Sequence, residues 1–139
     1  MRITGAKVYT EKHIFEDIDI CISGDRIAAV ADAGETLDCA GLYAIPGLVD
    51  IHLHGAAGQD LCECDEEGLA AMAQYEAEHG VLAICPATMT YSEEKLTGIM
   101  RKVAGYVSGK DAAALAGINL EGPFISGNRL GAQTSCRAR

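Results

Sequence analysis

The sequence predicts an α/β protein in which strands and helices alternate from residue 44 onward, after a segment of short strands and turns. An apolar run beginning at Ala44 ends in His52-Leu53-His54 and a glycine-rich turn. Two stretches with helical spacing, each opened by a capping residue, separate that run from two later ones. The last run ends at Glu121, as the first ends at the histidine pair. Such alternation implies parallel strands joined by right-handed crossovers. Chemistry-bearing residues gathered at the carboxyl ends of strands fit the first part of a (β/α)8 barrel.

Each element has its own warrant. Met1 to Thr10 reads as one strand. Ile18, Ile20 and Ile22 alternate with Asp17, Asp19 and Cys21, the mark of a half-buried strand. Ser23-Gly24-Asp25 is a turn, and Arg26 to Val30 a returning strand. No catalytic grouping falls in this segment, and His13 reads as a surface residue. Pro46-Gly47 then opens a buried strand. Side chains two apart on a strand share a face, so His52 and His54 point the same way, with Asp50 one step deeper. Asp65 is the expected N-cap of the first helix, with Glu66 and Glu67 in its first turn. Leu69, Met72 and Ala73 share a face, and Gly80 is the C′ residue. Val81 to Thr88 is the second strand. Ser92 caps the second helix, with Tyr91 stapled onto Leu96. Leu96, Ile99, Met100, Val103 and Val107 form its core-facing stripe. Ala113 to Leu120 is the third strand.

Composition narrows the classes. With 139 residues the chain can bury one domain core. Its net charge of −9 and lack of a basic cluster disfavour nucleic acid and anionic membranes as partners. No apolar signal core follows Met1, and the longest apolar run is broken and too short to span a bilayer. A soluble cytoplasmic protein is expected. The six cysteines include no Cys-X-X-Cys, so reduced thiols are expected, several serving as small apolar residues. Cys62-Glu63-Cys64 could join the histidines in a zinc knot, but structural zinc sites usually space their cysteines by two to four residues.

Two neutral imidazoles at a strand end are good ligands for Zn²⁺ or Fe²⁺. The plainer reading of His52 and His54 is two surface histidines beside a turn. Glu121 is either a third ligand or a turn carboxylate.

Pro46-Gly-Leu-Val-Asp-Ile-His-Leu-His-Gly55 resembles the first-strand signature of the amidohydrolase superfamily. Asn119-Leu-Glu-Gly-Pro-Phe-Ile125 with Arg129-Leu-Gly-Ala-Gln133, and Thr88-Met89-Thr90, narrow the resemblance to the N-acetylglucosamine-6-phosphate deacetylase family, over residues 1–133. The resemblance implies a small β-sandwich segment over 1–43, the first three βα units of the barrel over 44–133, and an atypical tail over 134–139. It implies Glu121 as metal ligand, and His52 and His54 as ligands of a second metal in members that keep the pair. Ala132 and Gln133 would line the amino-sugar site, the latter being His in many relatives. Asn119 is also often His there, a change expected to tune the site without loss. Arg129 near the phosphate reads as a solvated loop residue.

The implied activity is hydrolysis of the acetamide of N-acetylglucosamine 6-phosphate by a divalent metal, Zn or Fe, in a homo-oligomeric parent. The family's later metal-binding histidines and its proton-shuttling aspartate have no counterpart in this sequence, so that general base is expected beyond residue 139. A barrel of this kind takes about 250 residues. A truncated or frameshifted coding region, and an inactive 139-residue chain, are therefore expected. Two alternatives stay open. One is another amidohydrolase acting on a cyclic amide or nucleobase, against which Glu121-Gly-Pro-Phe124 argues; the other is a non-catalytic remnant domain.

Overall fold

The computed structural model describes residues 1–133; the expected atypical tail, with Cys136, lies outside the described residues. The chain forms two compact units, Met1–Pro46 and a second beginning at Gly47.

The first unit is built from strands β1 (Arg2–Thr4), β2 (Lys7–Tyr9), β3 (Phe15–Asp17), β4 (Ile20–Ser23), β5 (Arg26–Ala28), β6 (Thr36–Asp38) and β7 (Tyr43–Ala44). They make two small sheets, in the orders β5-β4-β1-β6 and β3-β2-β7. Met1 to Thr10 is therefore two strands in different sheets, not the single strand expected. Gly5 makes the break. It sits at φ 76°, and a Cβ there would stand 3.1 Å from the Ala40 backbone. The isoleucine alternation is cut in the same way, because Ile18 and Asp19 lie between β3 and β4. Ser23 pairs with Arg26 across a tight turn. The returning strand stops at Ala28, leaving Val30 exposed.

The second unit contains β8 (Leu48–Asp50), β9 (Gly55–Ala56), β10 (Gln59–Asp60), α1 (Glu66–Glu78), β11 (Val81–Ile84), α2 (Glu93–Gly105) and β12 (Ala114–Leu115). β12, β11 and β8 form a parallel sheet in that order, with α1 and α2 as the crossovers. β9 and β10 form a separate antiparallel pair.

All three parallel strands are shorter than the sequence suggests. β8 ends at Asp50, so both histidines lie beyond it; β11 ends at Ile84 and β12 at Leu115. Pro86 contributes no N–H to the ladder. Beyond it the segments stay together by separate bonds: Cys85 N–H to Asp50 O, Ala87 N–H to Leu53 O and Thr88 N–H to Asn119 O, at 2.7, 2.7 and 2.9 Å. Their irregular ends carry the candidate site residues His52, His54 and Glu121.

Both helices start where their caps predict. The Asp65 carboxylate accepts the Gly68 N–H at 2.9 Å, and the Ser92 hydroxyl accepts the Lys95 N–H at 3.4 Å. Gly80, at φ 84°, follows the C-cap His79. Leu69 and Met72 from α1 meet Leu96, Ile99 and Val103 from α2 in one core cluster with Leu61 and Cys62. The expected stripe on α2 is too long at one edge and one end. Met100 is 37% exposed, at the margin of the buried face, and Val107 is 87% exposed because the helix stops at Gly105. Among the described residues no helix is long and apolar enough to cross a membrane. Ser92→Ala should destabilise the second unit by about 1 kcal/mol, read as a lower urea midpoint with an unchanged m-value.

Candidate metal centre

The site is assembled where the three parallel strands run out. Asp50 Oδ1 accepts the His52 N–H at 2.8 Å, which fixes the backbone as it leaves β8. That carboxylate thus serves the main chain. His54 Nδ1 lies 3.2 Å from Ala87 O, on the segment after β11.

Glu121 is gripped from both sides of its peptide. Its N–H donates to Thr88 Oγ1 at 3.3 Å, and its carbonyl accepts from Thr90 Oγ1 at 3.1 Å. Both threonines are fully buried, and each hydroxyl has a partner. The Glu121 side chain is held in turn by Gln133. The Gln133 amide donates from Nε2 to Glu121 Oε2 at 2.6 Å, and its Oε1 accepts the Thr90 N–H at 3.0 Å.

These restraints bring three side chains to one point. His52 Nε2 is 3.3 Å and His54 Nε2 3.8 Å from Glu121 Oε1. One ligand atom from each lies within 4.8 Å of the others, the one such group among the described residues. Two ligands that each stand about 2.1 Å from a single ion are at most ~4.2 Å apart. The two histidine separations from Glu121 meet that limit. Two imidazoles and a carboxylate are also a donor set suited to Zn²⁺ or Fe²⁺. The side chains remain 49%, 38% and 29% exposed, which leaves the point open to a ligand.

The other candidates sort themselves clearly. Cys62 and Cys64 do not join the group, so the zinc knot is not formed. Cys62 is in the core, where its sulfur accepts the Met89 N–H at 3.4 Å. Cys64 Sγ lies 3.8 Å from Lys102 Nζ. Burial pushes both thiols above their usual range, against the thiolate a metal requires. Arg129 and Ala132 are exposed. His13 is exposed in the first unit, and His79 caps α1 with Nδ1 2.7 Å from Tyr75 O. The anchoring by Thr88 and Thr90 was missed at the sequence level. The sequence marks these residues through the family-like Thr88-Met89-Thr90 pattern, which does not say that their hydroxyls hold Glu121.

No family model matches the chain. An N-acetylglucosamine-6-phosphate deacetylase of Lysinibacillus sphaericus is 31% identical over 124 residues, 85% of this chain and 32% of that protein. The chain is a relative of the N-acetylglucosamine-6-phosphate deacetylases. It spans about a quarter to a third of the length of the curated relatives it matches most strongly, 32% of this one and 27% of the human deacetylase. The crystal structure of the Pasteurella multocida deacetylase matches with a TM-score of 0.86 over 99% of this chain and 38% of that one; at 23% identity it speaks for the fold alone. The Mycobacterium smegmatis deacetylase, solved as a mutant in complex with N-acetyl-D-glucosamine-6-phosphate, is 28% identical, with a TM-score of 0.73 over 100% of this chain and 37% of that one.

Proposed function

We propose that this chain carries part of the site of a metal-dependent hydrolase that cleaves the acetamide of N-acetylglucosamine 6-phosphate, giving glucosamine 6-phosphate and acetate. The convergence of His52, His54 and Glu121 beyond the ends of parallel strands is the observation that carries the reading. The likeness to deacetylases, one of them solved with that sugar phosphate, supplies the substrate.

Glu121 and His54 are the first ligands in this reading, with His52 beside them. A divalent metal, Zn or Fe, supplies Lewis acidity toward the amide carbonyl when bound. Gln133 holds the Glu121 carboxylate in place, and with Ala132 it faces the amino sugar. The departing amine needs a proton from a carboxylic acid. Among the described residues Glu121 is the one carboxylate of the cluster, and in this reading it serves as a ligand and not as that acid. The reading also carries the (β/α)8 barrel architecture, a cytoplasmic location and a homo-oligomeric whole enzyme.

A chimera tests the activity. Residues 1–133 would replace the matching third of the Lysinibacillus sphaericus relative. Acetate release from N-acetylglucosamine 6-phosphate should appear with metal, disappear with chelator and return on reloading. A folded, metal-loaded chimera that releases no acetate would refute the reading. The 139-residue polypeptide assayed by itself should release none.

A further inference from the structure

The two histidines face the same carboxylate, yet their other ring nitrogens meet opposite partners. His54 Nδ1 lies 3.2 Å from the carbonyl of Ala87. A carbonyl oxygen only accepts, so Nδ1 carries the proton, and Nε2 presents a lone pair toward Glu121. That is the tautomer a metal needs.

His52 is different. Asn119 Nδ2 stands 3.1 Å from Ile51 O and 3.1 Å from His52 Nδ1. Ile51 O also only accepts, which fixes the amide with its nitrogen on this side. The same NH₂ has a second hydrogen, and His52 Nδ1 is the group in reach. Nδ1 of His52 must then be the acceptor, and the ring proton sits on Nε2. Nε2 is 3.3 Å from Glu121 Oε1, so this proton lies on the side of the ring that faces the carboxylate. Asn119 thus donates to His52, the protonated His52 Nε2 faces one Glu121 oxygen at 3.3 Å, and Gln133 donates to the other.

We infer that Asn119 is a positioning residue that gives the two histidines opposite tautomers, leaving His54 ready to ligate while His52 turns a protonated Nε2 toward Glu121. His52 becomes a ligand only when its proton moves to Nδ1. That move puts two donors face to face, so Asn119 must turn and give up Ile51 O. The metal-binding consequence rests on the function proposed above; the tautomers themselves do not.

Nitrogen-15 histidine labelling of the metal-free 139-residue chain reads the tautomers directly, at about pH 8, where an ordinary imidazole is neutral. Long-range proton–nitrogen correlations should show His52 protonated on Nε2 and His54 on Nδ1, with His52→Gln giving the assignment. His52 protonated on Nδ1, or both rings alike, would overturn the inference. Asn119→Asp replaces the donor with an acceptor. It should move the His52 proton to Nδ1 and tighten Zn²⁺ binding by roughly tenfold, the scale on which a ligand's hydrogen-bond partner acts. An unmoved proton in a folded Asn119→Asp chain would also overturn it. If the tautomers are as stated and no form of the chain binds Zn²⁺, the metal reading fails and the tautomer assignment stands.

Discussion

Glu121→Gln is expected to weaken Zn²⁺ binding to the chain by roughly 100-fold and to cut acetate release by the chimera at least as much. Glu121 Oε1 is the atom on which both histidine Nε2 atoms converge, and the Glu121 backbone is held by two buried threonines. Glutamine has the same length and keeps one oxygen, which can still accept from Gln133. What it loses is the negative charge, and with it most of the attraction for a divalent ion. The scaffold is untouched, so the unfolding midpoint of the metal-free chain should stay close to wild type. The measurement is a calorimetric Zn²⁺ titration beside the metal content and turnover of the chimera. Near wild-type turnover with a full metal complement would contradict the role given to Glu121. His52→Ala/His54→Ala is the companion variant, and an isotherm identical to wild type would remove the pair from the site.

What the sequence made legible was whatever is encoded locally. Asp65 and Ser92 were readable as caps because a capping side chain bonds a backbone N–H three residues on. Leu69, Met72, Leu96, Ile99 and Val103 were readable as core because helical spacing puts them on one face. Strand ends were not readable. An apolar run shows where a strand can be, whereas its end depends on the neighbouring segment, as at Pro86 and Asn119. The buried face of α2 was overextended for a related reason: periodicity does not reveal where a helix unwinds, and Val107 lies past that point. His52, His54 and Glu121 were legible as chemistry. Their mutual placement was not, because it depends on bonds between residues far apart in the chain, such as Asn119 to Ile51 and Gln133 to Thr90. No local pattern records those pairings.

Gly122→Ala should damage the site and the fold together. Gly122 has φ 88°, a conformation that costs a residue with a side chain about 1–3 kcal/mol. The added Cβ would stand 2.8 Å from both Cγ2 and Oγ1 of Thr90. Thr90 is fully buried, so it has little room to retreat. Two relaxations are open, and both reach the candidate metal ligands. If Thr90 rotates, its hydroxyl lets go of the Glu121 carbonyl. If the segment after Glu121 moves instead, Glu121 is carried away from His52 and His54. The expected result is a loss of about 2 kcal/mol in denaturant unfolding, together with Zn²⁺ binding weakened by roughly tenfold or more. A second substitution separates the two causes. Thr90→Ala removes both crowded atoms, so Gly122→Ala/Thr90→Ala should be more stable than the sum of the two single changes predicts. It should not recover Zn²⁺ binding, because the hydroxyl that anchors Glu121 is gone. Wild-type stability and wild-type Zn²⁺ affinity in Gly122→Ala would show that Thr90 does not hold Glu121 in place.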